Sequence, residues 1–218
     1  MLAVVGDLHG EFWRFQDIVT KIEKNKKVTA IIQVGDFGYY PDRLRMLHQC
    51  KFNLPVYWID GNHEDFELFV HHTEVTEVHA NCFYVPRGTV MELDGKTIGF
   101  MGGAGSIDKF LRARYNMHWS SLENITDEQF ARMDNVESVD VLITHTPPQS
   151  VIDKKFDQSP RAFAFFGAPA DWFDPNAHLI ESLWARLNYP SMYCGHMHRV
   201  VADRSCRILD VCEVDYID

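Results

Sequence analysis

Five short apolar segments of this 218-residue chain each stop at a polar residue that is able to bind a metal ion. Each apolar segment has the length and composition of a buried β-strand. In α/β sheets, ligands bind beyond the carboxyl ends of the strands, so these polar endings can converge on one crevice. The five segments with their endings are LAVV-GDLHG from Leu2, IIQV-GDFG from Ile31, VYWI-DGNHE from Val56, VLI-THTP from Val141 and SMYC-GHMH from Ser191.

Strand and helix patterns alternate along the chain, which predicts an α/β fold in a single domain over residues 1–218. Strands are predicted at residues 2–5, 28–34, 56–59, 139–144 and 191–194. Helices are predicted at residues 11–23, 42–50, 65–72 and 176–187. Short strands are predicted within residues 75–101, with a hairpin turn at Asp94-Gly95. Residues 200–202 and 207–211 are predicted to pair as a closing hairpin.

Composition and charge exclude several classes of protein. With 46% apolar residues the chain is not intrinsically disordered, and no apolar stretch approaches the roughly 20 residues that span a bilayer. The net charge of −10 disfavours nonspecific binding to nucleic acid, because such binding depends on Lys and Arg. Five cysteines without CxxC spacing indicate reduced thiols. Since no secretory signal is visible, we expect a cytoplasmic protein that does not bind membranes.

Seven residues of the five endings carry nitrogen or oxygen donors for metals. Asp7 and His9 lie two positions apart, so extended backbone points both side chains the same way, and His196 and His198 repeat this spacing. Seven donors exceed the needs of one tetrahedral ion but suit two ions that share one carboxylate. Without thiolates, the set favours Mn, Fe, Zn, Ni or Co, with Mn preferred. The seven residues are Asp7, His9, Asp36, Asn62, His145, His196 and His198.

The motifs GDLHG, GDFG, GNHE, THTPP and GHMH resemble the signature blocks of the calcineurin-like metallophosphoesterase superfamily, over residues 6–198. The resemblance implies a four-layer αββα sandwich with two mixed sheets and a dinuclear metal centre at the strand ends. It implies His63 as the histidine that protonates the leaving oxygen or stabilises the transition state. For the first ion it implies Asp7, His9, Asp36 and His198, and for the second Asp36, Asn62, His145 and His196.

The implied reaction is hydrolysis of a phosphate ester. Two cations lower the pKa of a bridging water, and the resulting hydroxide attacks phosphorus. The substrate is expected to be a small phosphorylated molecule, with a nucleotide among the candidates, and both monoesters and diesters stay open. Protein phosphatases of the superfamily carry GDxVDRG, whereas this chain has Gly35-Asp36-Phe37-Gly38-Tyr39-Tyr40. The missing Asp-Arg pair disfavours a protein phosphatase.

Further predictions concern residues that are neither candidate metal ligands nor His63. We interpret residues 102–124 as a mobile substrate loop in which Arg112 and Arg114 bind phosphate, with an exposed connector as the alternative. Aromatic residues at 163–166 and 172–173 are assigned to packing, and the alternative is that one of them lines a nucleotide pocket. Asp60 and Glu64 either orient ligand imidazoles or are solvated charges.

A non-catalytic scaffold is the alternative to an enzyme, because some members of the superfamily use the fold as a binding module. Members of that kind have lost metal ligands, whereas all seven candidate ligands are present in this chain. The sequence therefore favours a metal-dependent hydrolase over a scaffold.

Overall fold

Twelve strands form two six-stranded sheets in a computed structural model that describes all 218 residues. The strands are β1 Leu2–Val5, β2 Ala30–Gln33, β3 Val56–Trp58, β4 Thr76–His79, β5 Cys82–Tyr84, β6 Thr89–Leu93, β7 Lys96–Met101, β8 Val141–Thr144, β9 Ser191–Cys194, β10 Val201–Asp203, β11 Cys206–Ile208 and β12 Val214–Ile217. The helices are α1 Phe12–Ile22, α2 Pro41–Leu47, α3 Lys109–Arg114, α4 Asp127–Ala131, α5 Gln149–Lys155, α6 Pro160–Phe165 and α7 Pro175–Arg186.

Both sheets are mixed, with a parallel centre and antiparallel edges. The first has the order β12-β1-β2-β3-β5-β4, and the second has the order β10-β11-β9-β8-β7-β6. In the first sheet β1, β2 and β3 run parallel, and in the second β8 and β9 do so. These are the five strands that precede the sequence motifs. Their carboxyl ends therefore meet at one edge of each sheet, as the resemblance implied.

The side chains of each central strand alternate between two hydrophobic cores. Leu2 and Val4 pack in a core that residues of both sheets share, while Ala3 and Val5 pack in a second core with α1 and α2. Trp184 of α7 belongs to a third core on the outer face of the second sheet. Because neighbouring strand residues point to opposite faces, the layers follow the order helix, sheet, sheet, helix. This confirms the predicted four-layer sandwich.

Local sequence explains where the two longest helices form. The buried face of α1 consists of residues spaced three or four apart, namely Phe12, Phe15, Val19 and Ile22. At the start of α7, the Asp174 side chain accepts a hydrogen bond from the Asn176 N–H at 2.9 Å, and Pro175 occupies the first helical position. An aspartate cap followed by proline is a strong helix start. Both helices were predicted from the sequence.

The predicted helix at residues 65–72 is wrong. That segment contains a single 3₁₀ turn at Phe66–Leu68, and no side chain caps it. Phe66 and Phe69 are both buried, with ring centroids 5.7 Å apart. A spacing of three residues aligns side chains on one face of a 3₁₀ turn. Burial of both rings in the core therefore favours the 3₁₀ turn over an α-helix.

The hairpin predictions are confirmed, but the last strand was not predicted. Asp94 and Gly95 join β6 to β7, and both have positive φ angles, as a type I′ turn requires. The closing hairpin is β10 paired with β11. Strand β12 pairs antiparallel with β1 at the edge of the first sheet, and its short, charged sequence gives little strand signal.

Two further sequence expectations concern cysteines and membranes. All five cysteines are buried free thiols, in agreement with the prediction of reduced thiols. None of the helices combines the length and the apolar character that crossing a membrane requires.

Candidate metal centre

Backbone hydrogen bonds join the loops that follow the motif strands. The N–H groups of Leu8 and His9 donate to the Asp36 carbonyl oxygen at 2.9 and 2.7 Å, which ties the first loop to the second. In the other sheet, the Gly195 N–H donates to the His145 carbonyl oxygen at 3.0 Å. The candidate ligands are thus carried on loops whose backbones are fixed to one another.

Four predicted ligands form one compact cluster, and they are the set that the resemblance implied for the first ion. Asp7, His9, Asp36 and His198 each direct one donor atom into the cluster, and these atoms all lie within 4.8 Å of one another. The Nε2 atom of His198 lies 2.8 Å from Nε2 of His9 and 3.2 Å from the Asp7 carboxylate. Imidazole and carboxylate donors at these separations fit a divalent cation.

Three buried polar atoms beside this cluster have no hydrogen-bond partner, namely Asp36 Oδ2, Asn62 Oδ1 and His145 Nε2. Buried polar atoms nearly always have partners, so three exceptions in one place point to a ligand outside the polypeptide. The other imidazole nitrogen of His145, Nδ1, lies 2.8 Å from the Val34 carbonyl oxygen. An Nδ1–H that donates there leaves the Nε2 lone pair free for a metal.

A chain of hydrogen bonds fixes the orientation of the Asn62 amide. Its Nδ2 donates to Ser106 Oγ at 3.0 Å, and Ser106 Oγ in turn donates to Glu123 Oε2 at 2.6 Å. The Ser106 N–H also donates to the same Glu123 carboxylate at 2.9 Å. Because the Asn62 amide nitrogen is engaged in this way, its oxygen faces the candidate metal ligands.

Glu64 and Asp60 do not orient ligand imidazoles, contrary to one of the sequence interpretations, and they are not solvated charges either. The buried Glu64 carboxylate accepts hydrogen bonds from the N–H groups of Phe37, Gly38 and Tyr39 at 2.6–3.0 Å. Glu64 therefore holds the loop that carries Asp36.

Asp60 acts through a buried ion pair with Arg87. The Arg87 Nε donates to Asp60 Oδ2 at 2.9 Å, and its Nη groups donate to the Leu122 and Asn124 carbonyl oxygens at 2.9 and 2.6 Å. This pair connects the end of β3 to the segment that contains Glu123. Sequence reasoning missed both Arg87 and Glu123, because nothing in the sequence indicates that these distant residues meet.

The candidate ligands lie on strained backbone. His9, Asp36, His196 and His198 have φ angles of 48°, 52°, 67° and 46°, in the left-handed region that non-glycine residues seldom adopt. A Cβ atom at Gly195 would collide with the Asp7 carboxylate. Strain of this kind is typical of functional sites.

Burial and close charges perturb the pKa values of the site. Burial alone would raise the pKa of Asp36, but the nearby His145, His63 and His9 outweigh it and hold this pKa well below its usual value. Burial opposes charging of His145, yet the Asp36 and Asp7 carboxylates raise its pKa to about 10. Burial and the charge on His145 lower the pKa of His196 to about 3. The buried, ionised Asp36 carboxylate thus creates a strong demand for positive charge.

His63, the predicted acid, lies beside these groups and contacts Arg112. The Arg112 Nη2 atom is 2.9 Å from His63 Nε2, and the Arg112 Nε donates to Asp108 Oδ2 at 3.0 Å. Burial and the Arg112 guanidinium lower the pKa of His63. Arg114 is exposed, with its guanidinium 6.0 Å from the Tyr115 ring centroid. The structure therefore brings Arg112, but not Arg114, to the predicted catalytic histidine.

The start of the segment at residues 102–124 is not the mobile loop that its glycines suggested. Residues 102–106 are buried, and Gly102 and Gly105 pack closely against Asp60 and Asp174. Small residues are needed here because larger side chains would collide with these carboxylates. The segment belongs to the framework of the site.

The aromatic residues at 163–166 and 172–173 divide into three that line a cavity and two, Phe165 and Phe173, that do not. Phe163, Phe166 and Trp172 line a cavity that opens at His196 and His198. The alternative interpretation, that aromatic residues of this segment line a pocket, therefore describes these three rings better than packing alone.

Comparison with known proteins supports a phosphoesterase site. The family described as calcineurin-like phosphoesterase matches residues 1–200, a range that includes all seven candidate ligands and His63. This match confirms the resemblance drawn from the five motifs. No curated protein matches the chain. Together with the compact Asp/His cluster, the family supports binding of divalent metal.

Replacing Ser106 tests whether the orientation of Asn62 matters for metal binding. We expect Ser106→Ala to weaken Mn²⁺ binding by about 10–100-fold, as loss of an outer hydrogen-bond partner does at metal sites. Isothermal titration of the metal-free protein measures the affinity. Ser150→Ala is the control, because Ser150 also donates to a glutamate, Glu181, but on the exposed surface. Equal affinities in the Ser106 variant and wild type would contradict the expectation.

Proposed function

The chain belongs to the calcineurin-like phosphoesterases, and from this we propose that it hydrolyses small phosphate esters with two divalent metal ions at its strand ends. We propose that residues 1–218 act as one metallophosphoesterase domain. The substrate is a phosphate monoester or diester, with nucleotides among the candidates. The free cysteines suit a cytoplasmic location.

Seven residues would hold the two ions. Asp7, His9 and His198 serve the first ion, Asn62, His145 and His196 serve the second, and Asp36 serves both. The observation that carries this proposal is that Asn62 and His145, which lie outside the four-residue cluster, have unpartnered buried donor atoms, while Asp36 belongs to the cluster and also has an unpartnered oxygen. A single ion would use one group of donors and leave the other without partners.

The donors suit Mn, Fe, Zn, Ni or Co, of which Mn is favoured, because they are imidazole nitrogens and carboxylate or amide oxygens without thiolate. When bound, a pair of such ions supplies a hydroxide nucleophile near neutral pH and charge stabilisation for the phosphoryl oxygens. The chain's own contribution is to hold the donors in place and to keep the Asp36 carboxylate ionised, because the nearby histidines hold its pKa well below its usual value.

His63 is proposed to act on the leaving oxygen. It follows the proposed ligand Asn62, and its ring centroid lies 5.0 Å from that of His9. Its backbone N–H donates to Asp36 Oδ1 at 2.8 Å, which fixes its position relative to the metal ligands. A histidine held there can donate a proton to the departing oxygen. Arg112, in contact with His63, is proposed to orient it and to bind a phosphoryl oxygen.

A non-catalytic scaffold is the less favoured function. Nothing in the site favours it, since all seven candidate donors are present and four of them form a compact cluster around the buried Asp7 and Asp36 carboxylates.

Loss of the shared carboxylate tests the proposed function most directly. We expect Asp36→Asn to remove most of the metal-dependent hydrolysis of nitrophenyl mono- and diesters and to reduce the bound metal, because both ions lose the same negative charge. Turnover with Mn²⁺, Ni²⁺ and Zn²⁺ and elemental analysis measure these effects. Asp17→Asn, a change of the same kind on the exposed side of α1, is the control and should behave as wild type. Full activity of Asp36→Asn would refute the shared-ligand role.

The proton-donating role of His63 predicts a dependence on the leaving group. His63→Gln should lower kcat/KM for alkyl phosphates by about tenfold more than for nitrophenyl esters, because nitrophenolate leaves without a proton. Steady-state kinetics on a series of esters with increasing leaving-group pKa measure the dependence. Equal losses across the series would show that His63 positions the substrate or the metal instead.

A further inference from the structure

A cavity of about 570 Å³ adjoins the candidate metal centre. This volume lies within the range of about 300–1,000 Å³ that is typical of small-molecule pockets. Its lining includes the site residues Asn62, His63, His196 and His198, together with residues of the chain between the start of α5 and α7. A substrate with its phosphoryl group at the metal ligands would extend the rest of its structure into this cavity.

The wall away from the metal ligands is aromatic. Phe163 is only 5% exposed, and its ring lies 5.8 Å from that of Trp172 in an edge-to-face arrangement. Phe166 lies on the same wall but remains 40% exposed. An aromatic ring that lines a cavity while retaining this exposure has unused contact surface. Flat ring systems are the ligands that make the best use of such a wall, through offset or edge-to-face stacking.

The charges of the lining disfavour a second anionic group on the ligand. The lining contains the carboxylates of Asp36, Asp108, Asp157 and Asp174 but no lysine or arginine. Arg112 lies outside this lining and contacts His63, so the phosphoryl oxygen proposed for it belongs to the reacting phosphate at the metal ligands. Beyond the metal ligands, therefore, the cavity offers nothing that would bind a further phosphate.

Two side-chain amides complete the lining on the α5–α6 side, those of Gln149 and Gln158. The Gln149 Nε2 group donates to Asp153 Oδ1 at 2.7 Å and the Gln158 Nε2 group to the Asp157 carbonyl oxygen at 3.4 Å, which leaves each amide one N–H donor and its oxygen as an acceptor. The wall thus combines aromatic faces with uncharged hydrogen-bonding groups, which suits a ring that carries uncharged polar edges.

We propose that this cavity is the specificity pocket of the enzyme and that it binds the planar, uncharged aromatic or heteroaromatic part of a substrate that carries a single phosphoryl group. This inference rests on the proposed function, because the phosphoryl group defines how the substrate enters the cavity. A nucleobase and a simple aryl group share this chemistry, and the experiment separates them.

Neighbouring phenylalanines provide a matched pair of variants. Phe166 lines the cavity, whereas Phe165 is 81% exposed and does not, although the two rings touch with centroids 5.1 Å apart. The kcat/KM values of Phe166→Ala and Phe165→Ala are measured on methyl, phenyl and adenosyl phosphate esters, as monoesters and as diesters. Trp172→Ala and Phe173→Ala form a second pair, since only Trp172 lines the cavity.

We expect Phe166→Ala to lower kcat/KM for ring-bearing esters by about tenfold, the size of one lost stacking contact. The kcat/KM of Phe166→Ala for methyl esters should change less than twofold, and Phe165→Ala should behave as wild type on every ester. A larger loss on adenosyl esters identifies a nucleobase, and a larger loss on phenyl esters identifies an aryl group. A second phosphate on the adenosyl ester should lower kcat/KM at least tenfold in wild type.

Binding of adenosine and phenol, measured by calorimetry, separates failure of this inference from failure of the proposed function. If no ester is hydrolysed with any metal while Phe166→Ala still weakens binding of either ligand about tenfold, the hydrolase proposal fails and the pocket stands. If wild type hydrolyses methyl and ring-bearing esters equally well and Phe166→Ala changes neither, the pocket is refuted while the hydrolase stands. Equal turnover of the adenosyl diphosphate and monophosphate would also refute it.

Discussion

The burial of two carboxylates, Asp7 and Asp36, is the constraint on which the rest of the site depends. Neither is more than 1% exposed, and a buried charge is costly unless an opposite charge compensates it. Within the protein, the histidines His145, His63 and His9 compensate part of the charge on Asp36. In turn, the Asp36 and Asp7 carboxylates raise the pKa of His145 to about 10. A divalent cation would supply this charge more completely and would replace the proton. The chemistry of the family and the electrostatics of the fold therefore both require a divalent cation at this position.

A surrounding set of hydrogen bonds allows the ligands to hold their strained conformations. Glu64 binds three backbone N–H groups of the loop that carries Asp36. Ser106 and Glu123 orient Asn62, and the Asp60–Arg87 pair attaches the Glu123 segment to the end of β3. These contacts keep donors in place that would otherwise relax away from left-handed backbone. The site is thus organised by residues that are not themselves candidate ligands, some within the motifs, such as Glu64, and some far from them, such as Arg87 and Glu123.

The sequence was sufficient to identify the strand-end residues that the structure brings together, but not the residues that support them. Asp7 and His9 could be predicted because a short apolar run, a glycine and paired polar residues form a local pattern. The contact between Ser106 and Glu123 joins ordinary residue types across a segment with no regular spacing, so no local pattern marks it. The sequence left the aromatic residues open between packing and a pocket, because side chains such as Phe163 and Trp172 give the same sequence signal in a core and in a cavity wall. Strand β12 was not predicted because it is stabilised by pairing with β1 at the other end of the chain, and no local sequence pattern indicates such a pairing.

The central claim is that one carboxylate is shared by two ions. X-ray diffraction from Mn²⁺-loaded crystals, collected on both sides of the manganese absorption edge, tests it most directly. The account predicts two anomalous peaks per chain about 3.5–4 Å apart, the separation of two-metal phosphoesterase sites, with the Asp36 carboxylate between them. A single fully occupied peak in protein that is fully active would contradict it.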